Sequence, residues 1–268
     1  MITYTPDNRE IYYCTTGTGR ELLLVHGAGG DAEAFNALVE ILSPQYCCIS
    51  FDRLGYRRSA HLDRNTTVEE QVTAIGAVNN CVTLEPVWVF GHSSGGNFAL
   101  AYALSYPDRV KGLILMEPAL YSLYPPHQQP PEIERMEKDI VPLFQQGQIE
   151  QGLEEFMALI GISQQSVDQL PPTRNAFDNF RSFGYDQPVV ISWCPSEAEL
   201  HQVTQPVLIM EGDQSSSLLR NICHLLGRQL SNSKLITLKD QGHLAPQLAP
   251  KLVAEELTAF ISQCESKT

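Results

Sequence analysis

Apolar positions along this 268-residue chain fall into two patterns: short, almost wholly apolar runs and longer stretches with helical spacing. Residues 21–25, 47–51, 87–90, 111–116, 206–210 and 234–238 form the short runs. Lacking a polar face and too brief for helices, they predict strands of a parallel sheet buried on both sides. The stretches between them predict helices over 32–42, 67–82, 97–104, 218–230 and 246–263. At the second of these, Thr67 followed by Glu70 reads as a capping box, in which each residue's side chain satisfies the other's backbone N–H. Residues 2–15, with a turn at Asp7-Asn8, predict an opening antiparallel hairpin. Strand and helix signals that alternate in this way imply an α/β fold: a mostly parallel eight-stranded sheet with helices on both faces.

The alternation stops after residue 118. Tyr124-Pro125-Pro126-His127-Gln128-Gln129-Pro130-Pro131 reads as a stiff linker, and amphipathic helices are predicted over 132–146, 149–160 and 173–183 with no convincing strand among them. The expected organisation is therefore a core of residues 1–118 and 201–268, interrupted by a helical cap over 119–200 that lies above the strand ends.

Composition narrows the function classes. A formal net charge of -13 disfavours nucleic acid and anionic membrane surfaces as partners, since both would be repelled. The amino terminus lacks the basic and apolar segments of a secretory signal, and no apolar run is long enough to span a bilayer, so a cytoplasmic protein is expected. Seven cysteines, odd in number and without a C-x-x-C pair, read as small buried hydrophobes. Neither a metal-ligand cluster nor an internal repeat is visible, and oligomeric state is left open.

One pentapeptide carries chemistry. Gly91-His92-Ser93-Ser94-Gly95 places a serine between two glycines, after an apolar run and before good helix formers. That is the strand, turn and helix context of a nucleophile elbow. A serine hydroxyl is a weak nucleophile and needs a neighbouring base, for which imidazole is best suited. Of the seven histidines, His26 and His92 lie inside backbone-shaping motifs, and His61, His127, His201 and His224 sit in polar segments that read as surface. His243, in Asp240-Gln241-Gly242-His243 after the last strand, is the candidate base.

Four features together resemble the α/β-hydrolase fold family over nearly the whole chain: His26-Gly27-Ala28-Gly29-Gly30, the segment Asp52-Arg53-Leu54-Gly55-Tyr56-Arg57-Arg58-Ser59, the Ser93 elbow and the His243 loop. In the second, Arg57 stands where the family's D-x-x-G-x-G-x-S pattern has glycine. The resemblance implies a catalytic Ser93 and His243, with the backbone N–H groups of Ala28 and Ser94 as the oxyanion hole. Most members carry the acid three residues past the glycine after the seventh strand, but here that position is Ser215. A second family position, the end of the strand after the nucleophile helix, holds Glu117, as in haloalkane dehalogenases that carry a glutamate there. Asp213 is the alternative acid, and Asp240 reads as a turn residue. Dehalogenases and epoxide hydrolases attack with an aspartate, so the serine points instead to an acyl-enzyme, and the resemblance implies a cofactor-free carboxylic ester hydrolase. Tyr121, Tyr124 and Trp193 are candidate substrate contacts for a small apolar molecule. Hydrolysis of a carbon–carbon bond or a thioester would use the same residues, and a non-catalytic binding protein on this fold is a further alternative.

Overall fold

The computed structural model describes residues 1–170, 179–180 and 182–266. Eight strands form one sheet: β1 (Ile2–Tyr4), β2 (Glu10–Thr16), β3 (Arg20–Val25), β4 (Tyr46–Phe51), β5 (Val87–His92), β6 (Val110–Met116), β7 (Val207–Gly212) and β8 (Ser233–Leu238). Their order is β1-β2-β4-β3-β5-β6-β7-β8. The first two pair antiparallel with Ile2 opposite Tyr12, β2 runs antiparallel to β4, and every later pair is parallel. All six residues of β5 and of β7 are buried, which is why neither run alternates with polar positions.

Two apolar layers enclose the sheet. One side is covered by α1 (Asn36–Leu42) and the carboxy-terminal helix, with Phe35, Trp88 and Phe260 in its core. The other is covered by α2 (Val68–Val82) and α3 (Ser94–Ser105), whose cluster includes Val78, Phe98 and Tyr102 and continues into the helices between β6 and β7. Both halves of the capping box form on α2: the Thr67 hydroxyl accepts from Glu70 N at 3.2 Å, and the Glu70 carboxylate accepts from Thr67 N at 3.0 Å.

Several boundaries differ from the sequence expectation. The first helix begins at Asn36 rather than at residue 32, because Asp31 makes a local turn: its carboxylate accepts from Glu33 N at 2.8 Å and its carbonyl from Ala34 N. The segment expected as one helix over 132–146 is α4 (Pro131–Arg135), a π-helical turn over Met136–Ile140 and α5 (Val141–Gln145). Pro142 has no N–H for the carbonyl four residues back, and the preceding turn widens instead. Next come α6 (Ile149–Ile160) and α7 (Gln164–Asp168). The helix expected over 173–183 falls mostly outside the described residues.

The sequence pattern did not indicate α8 (Phe183–Ser192), which contains Pro188 in its interior. The Gly184 carbonyl, which a proline cannot satisfy, accepts instead from Gln145 Nε2 at 3.0 Å. Following it are α9 (Glu197–His201), α10 (Ser217–Gln229), α11 (Ala245–Leu248) and α12 (Pro250–Glu265), the last two split where Pro250 restarts the helix. Cysteine burial also departs from expectation. All seven thiols are free, but only Cys48 and Cys223 are buried, while Cys81 and Cys194 are exposed. Among the described residues no helix is long and apolar enough to cross a membrane.

Candidate active site

The elbow is built by close packing. A Cβ on Gly95 would stand 2.2 Å from the Val25 carbonyl oxygen, and one on Gly91 2.7 Å from the Gly96 Cα. Only glycine lets α3 start this close to β3 and β5. Ser93 pays for the sharp turn with φ 54° and ψ -129°, a conformation L-residues rarely adopt. Its backbone is pinned from both sides of the β6 end: Ser93 N donates to the Met116 carbonyl at 3.0 Å, and its own carbonyl accepts from Ala119 N at 3.2 Å.

Glu117, one residue past β6, also has a positive φ, 44°, and its N–H donates to the Met210 carbonyl at 3.0 Å. This twist sends a fully buried carboxylate toward the His243 loop. Glu117 Oε2 accepts from His243 Nδ1 at 2.7 Å and Oε1 accepts from Gly212 N at 2.6 Å. Its burial is thus compensated by two donors. A proton on Nδ1 leaves the Nε2 lone pair of His243 free.

Asp213, the alternative acid, is turned elsewhere. It is half-buried, accepts from Gln214 Nε2 at 3.0 Å, and its carboxyl is held below the usual range by the N–H of Asp240, then by Gln214 and the N–H of Gln241. Asp240 occupies a positive-φ turn, at 57°. Ser215, at the commoner acid position, is half-buried with its hydroxyl unpartnered.

His92 braces the other side of His243. Its Nε2 donates to the His243 carbonyl at 2.8 Å, and the two rings lie 4.6 Å apart at 39°. Burial, then the neighbouring His243, holds its pKa well below the ordinary histidine value. His26 is likewise a neutral structural residue. Nε2 accepts from Arg53 N at 3.0 Å and Nδ1 donates to the Gly27 carbonyl at 2.8 Å, and burial followed by the Arg53 charge lowers its pKa to about 3. The remaining four histidines are exposed.

Ala28, half-buried, follows in the loop after β3, and Ser94 is the first residue of α3, where a backbone N–H has no intrahelical acceptor. Arg57 keeps the glycine-like backbone of its loop, with φ 42°, and its guanidinium pairs with Asp31 at 3.0 Å and Glu33 at 2.7 Å. Of the candidate substrate contacts, Tyr121 is buried, Tyr124 is buried with its hydroxyl donating to the Leu218 carbonyl at 3.1 Å, and Trp193 is half-buried with its carbonyl accepting from Ser122 Oγ at 2.6 Å. Tyr124 therefore also ties the segment between β6 and β7 to α10, and Trp193 joins two parts of that segment.

Sequence reasoning did not single out Arg53 or Asp186. The Arg53 guanidinium is fully buried and meets Asp186 in two bonds of 2.9 Å each; Tyr56 adds a third at 2.9 Å. A charge two residues past an apolar strand, and another inside the stretch 183–192, were the available signals. A cavity of about 450 Å³ lies beyond this pair, lined by Leu54, Tyr56, His61, Thr66, Tyr185 and Asp186 among others; neither Ser93 nor His243 lines it.

Fold and loop geometry define the class: this chain belongs to the α/β hydrolase fold family, whose model matches residues 21–249. The chain is 35% identical over 115 residues to the uncharacterized hydrolase YraK of Bacillus subtilis, 42% of each chain. It is also 35% identical over 108 residues to a (lyso)-N-acylphosphatidylethanolamine lipase of Bos taurus, 39% of this chain and 32% of that one. The matches thus span well under half of these relatives' length. A thermophilic esterase from Thermogutta terrifontis superposes with a TM-score of 0.80 at 21% identity, covering 98% of both chains, a likeness of fold.

Proposed function

We propose that this protein is a serine hydrolase that cleaves an ester or related acyl bond of a small apolar molecule through Ser93, His243 and Glu117. The observation carrying the proposal is the 2.7 Å contact between His243 Nδ1 and a fully buried Glu117, one strand away from a serine held in a strained elbow. A buried carboxylate fixing an imidazole tautomer beside such a serine is what general-base activation requires.

In this reading Ser93 Oγ attacks the acyl carbon while its proton passes to His243 Nε2. The imidazolium so formed is stabilised by Glu117, which keeps its own charge. The N–H groups of Ala28 and Ser94 receive the developing oxyanion, the second aided by the positive end of α3. His243 then protonates the leaving group, and water, deprotonated by the same imidazole, releases the acyl group from Ser93. At 8% and 5% exposure, Ser93 and His243 react in a largely dry site, which strengthens each of these interactions. Family membership and the lipase and esterase relatives support the reaction class, and the apolar insertion supports an uncharged acyl group.

A fluorophosphonate probe tests the proposal directly. The native protein labels at Ser93 and the Ser93→Ala variant does not; absence of labelling in the native protein, or equal labelling of both, would sink it.

A further inference from the structure

Asn179, Phe180, Ser182 and Asp186 of the insertion grip the two loops that flank the elbow. Asn179 Nδ2 donates to Asp31 Oδ2 at 3.1 Å, the Phe180 ring packs on Gly29 so closely that a Cβ there would meet it at 2.3 Å, and Ser182 Oγ donates to the Gly55 carbonyl. The last contact of the series is Asp186 on α8, 1% exposed and bound in two bonds by Arg53.

Arg53 spends its remaining donors on the oxyanion loops. Its Nε donates to the His26 carbonyl at 2.9 Å, two residues before Ala28, and its Nη2 reaches Ser94 Oγ at 3.3 Å. Its backbone N–H meanwhile holds the His26 ring. One planar guanidinium is therefore fixed at once to the insertion, to the strand end preceding Ala28 and to the first residue of α3. A guanidinium presents its donors in a rigid fork, so an acceptor on one side sets the direction of the bonds on the other. Burial pulls the Arg53 pKa down, but Asp186 and Tyr56 more than reverse this, so the fork stays charged.

We infer that Asp186 is a positioning residue, carried by the insertion, that sets the two oxyanion N–H groups through Arg53. The inference rests on the acyl-transfer reading above. Its consequence is that α8 does more than cover the site: where the insertion sits determines how well Ala28 and Ser94 meet the oxyanion. Because the oxyanion develops after binding, the effect falls on kcat and not on KM.

The test uses the full chain, p-nitrophenyl butyrate and the fluorophosphonate probe. Asp186→Asn lowers kcat by about 10- to 100-fold with KM within about threefold, the loss expected from displaced rather than missing oxyanion donors, and also lowers Tm. Arg53→Met/Asp186→Leu removes both charges together, a replacement that commonly restores stability. Here Tm recovers and kcat does not. If kcat returns with Tm, the pair is a structural brace only and the inference fails. Asp186→Glu, which keeps the charge, recovers at least part of kcat. Tyr56→Phe withdraws one hydrogen bond at nearly constant volume and lowers kcat about threefold, in line with a single modest bond; unchanged kcat there overturns the inference even if both charge variants fail to fold. Labelling of the wild-type protein in the same experiment separates these outcomes from failure of acyl transfer itself.

Discussion

Replacing Glu117 by glutamine changes one atom and should reverse the His243 tautomer. Oε1 of Glu117 is held by the Gly212 N–H at 2.6 Å, so the glutamine must place its carbonyl there. The opposite orientation sets an NH2 against that N–H and leaves buried donors facing each other, at a cost of about 1–3 kcal/mol. With the carbonyl so fixed, the amide NH2 points at His243 Nδ1, where the carboxylate now accepts at 2.7 Å. Nδ1 must then be the acceptor and Nε2 carries the proton, which disables it as base toward Ser93. Loss of the carboxylate also removes stabilisation of the imidazolium. A tautomer-reversing amide in a triad lowers turnover on the order of 10³–10⁴-fold, about 4–5.5 kcal/mol in barrier. Asp213→Asn, at a half-exposed carboxylate that serves a turn, stays within about threefold, as an ordinary surface substitution does. Steady-state kinetics on p-nitrophenyl butyrate, with circular dichroism as a folding control, give both numbers. A folded Glu117→Gln variant retaining more than about a tenth of wild-type kcat, or Asp213→Asn proving the more damaging, refutes the argument, because either result removes the tautomer from control.

Stability should fall on mild acidification. His26 and His92 are buried neutral with lowered pKa values, so the unfolded chain takes up protons below about 6.5 while native His26 resists them down to about 3. The stability they confer is complete above that upper value and is lost as pH falls through the window, by about 2 kcal/mol from His26 alone at about pH 5. Urea unfolding at neutral and at this lower pH measures it, and equal stabilities would contradict the neutral assignment. Gly95→Ala drives a Cβ into two backbone carbonyls and costs about 3 kcal/mol or more, read from the same urea curves; a cost under about 1 kcal/mol would show that the elbow is not sterically fixed. Ser93→Gly and Ser93→Ala both abolish labelling, but the glycine variant is the more stable by about 1 kcal/mol because it relieves the positive φ; the reverse order in Tm would mean that the elbow stores no strain.

The parallel strands were legible in the sequence because burial on both faces leaves apolar runs with no polar alternation, as in 87–90 and 206–210. The elbow was legible for a related reason: steric crowding admits only glycine at Gly91 and Gly95, so the packing constraint is written in residue type. By contrast, α8 was hidden by Pro188, which reads as a breaker unless one knows that Gln145, distant in sequence, satisfies the orphaned Gly184 carbonyl. Which of the two carboxylates, Glu117 or Asp213, meets His243 turned on side-chain direction. Direction depends on a positive φ at Glu117 that no propensity for glutamate suggests. Asp186 was illegible because its partner lies 133 positions away, and an isolated aspartate in a helix ordinarily indicates nothing more than a solvated face.

Placing the acid after β6 has a physical consequence for the proposed triad. Since β5 and β6 are hydrogen-bonded neighbours with His92 opposite Met116, Ser93 and Glu117 leave the sheet from the next step of one ladder. Ser93 N bonds the carbonyl just before Glu117, and Ala119 N bonds the Ser93 carbonyl, so the two residues share a single backbone unit. An acid after β7 would stand one strand further off and reach the imidazole from a separate loop. In this chain β7 supports the carboxylate twice, through the Met210 carbonyl that accepts from Glu117 N and through the Gly212 N–H that orients Oε1, and just beyond it Gln214 N donates to the Gln241 carbonyl of the His243 loop. That loop is held by His92 at its carbonyl and by Glu117 at its ring, one residue from each of the strands that carry the nucleophile and the acid. Disorder in the His243 loop is therefore resisted from the same two strands that fix its partners, and small shifts of the sheet carry all three residues together rather than pulling them apart.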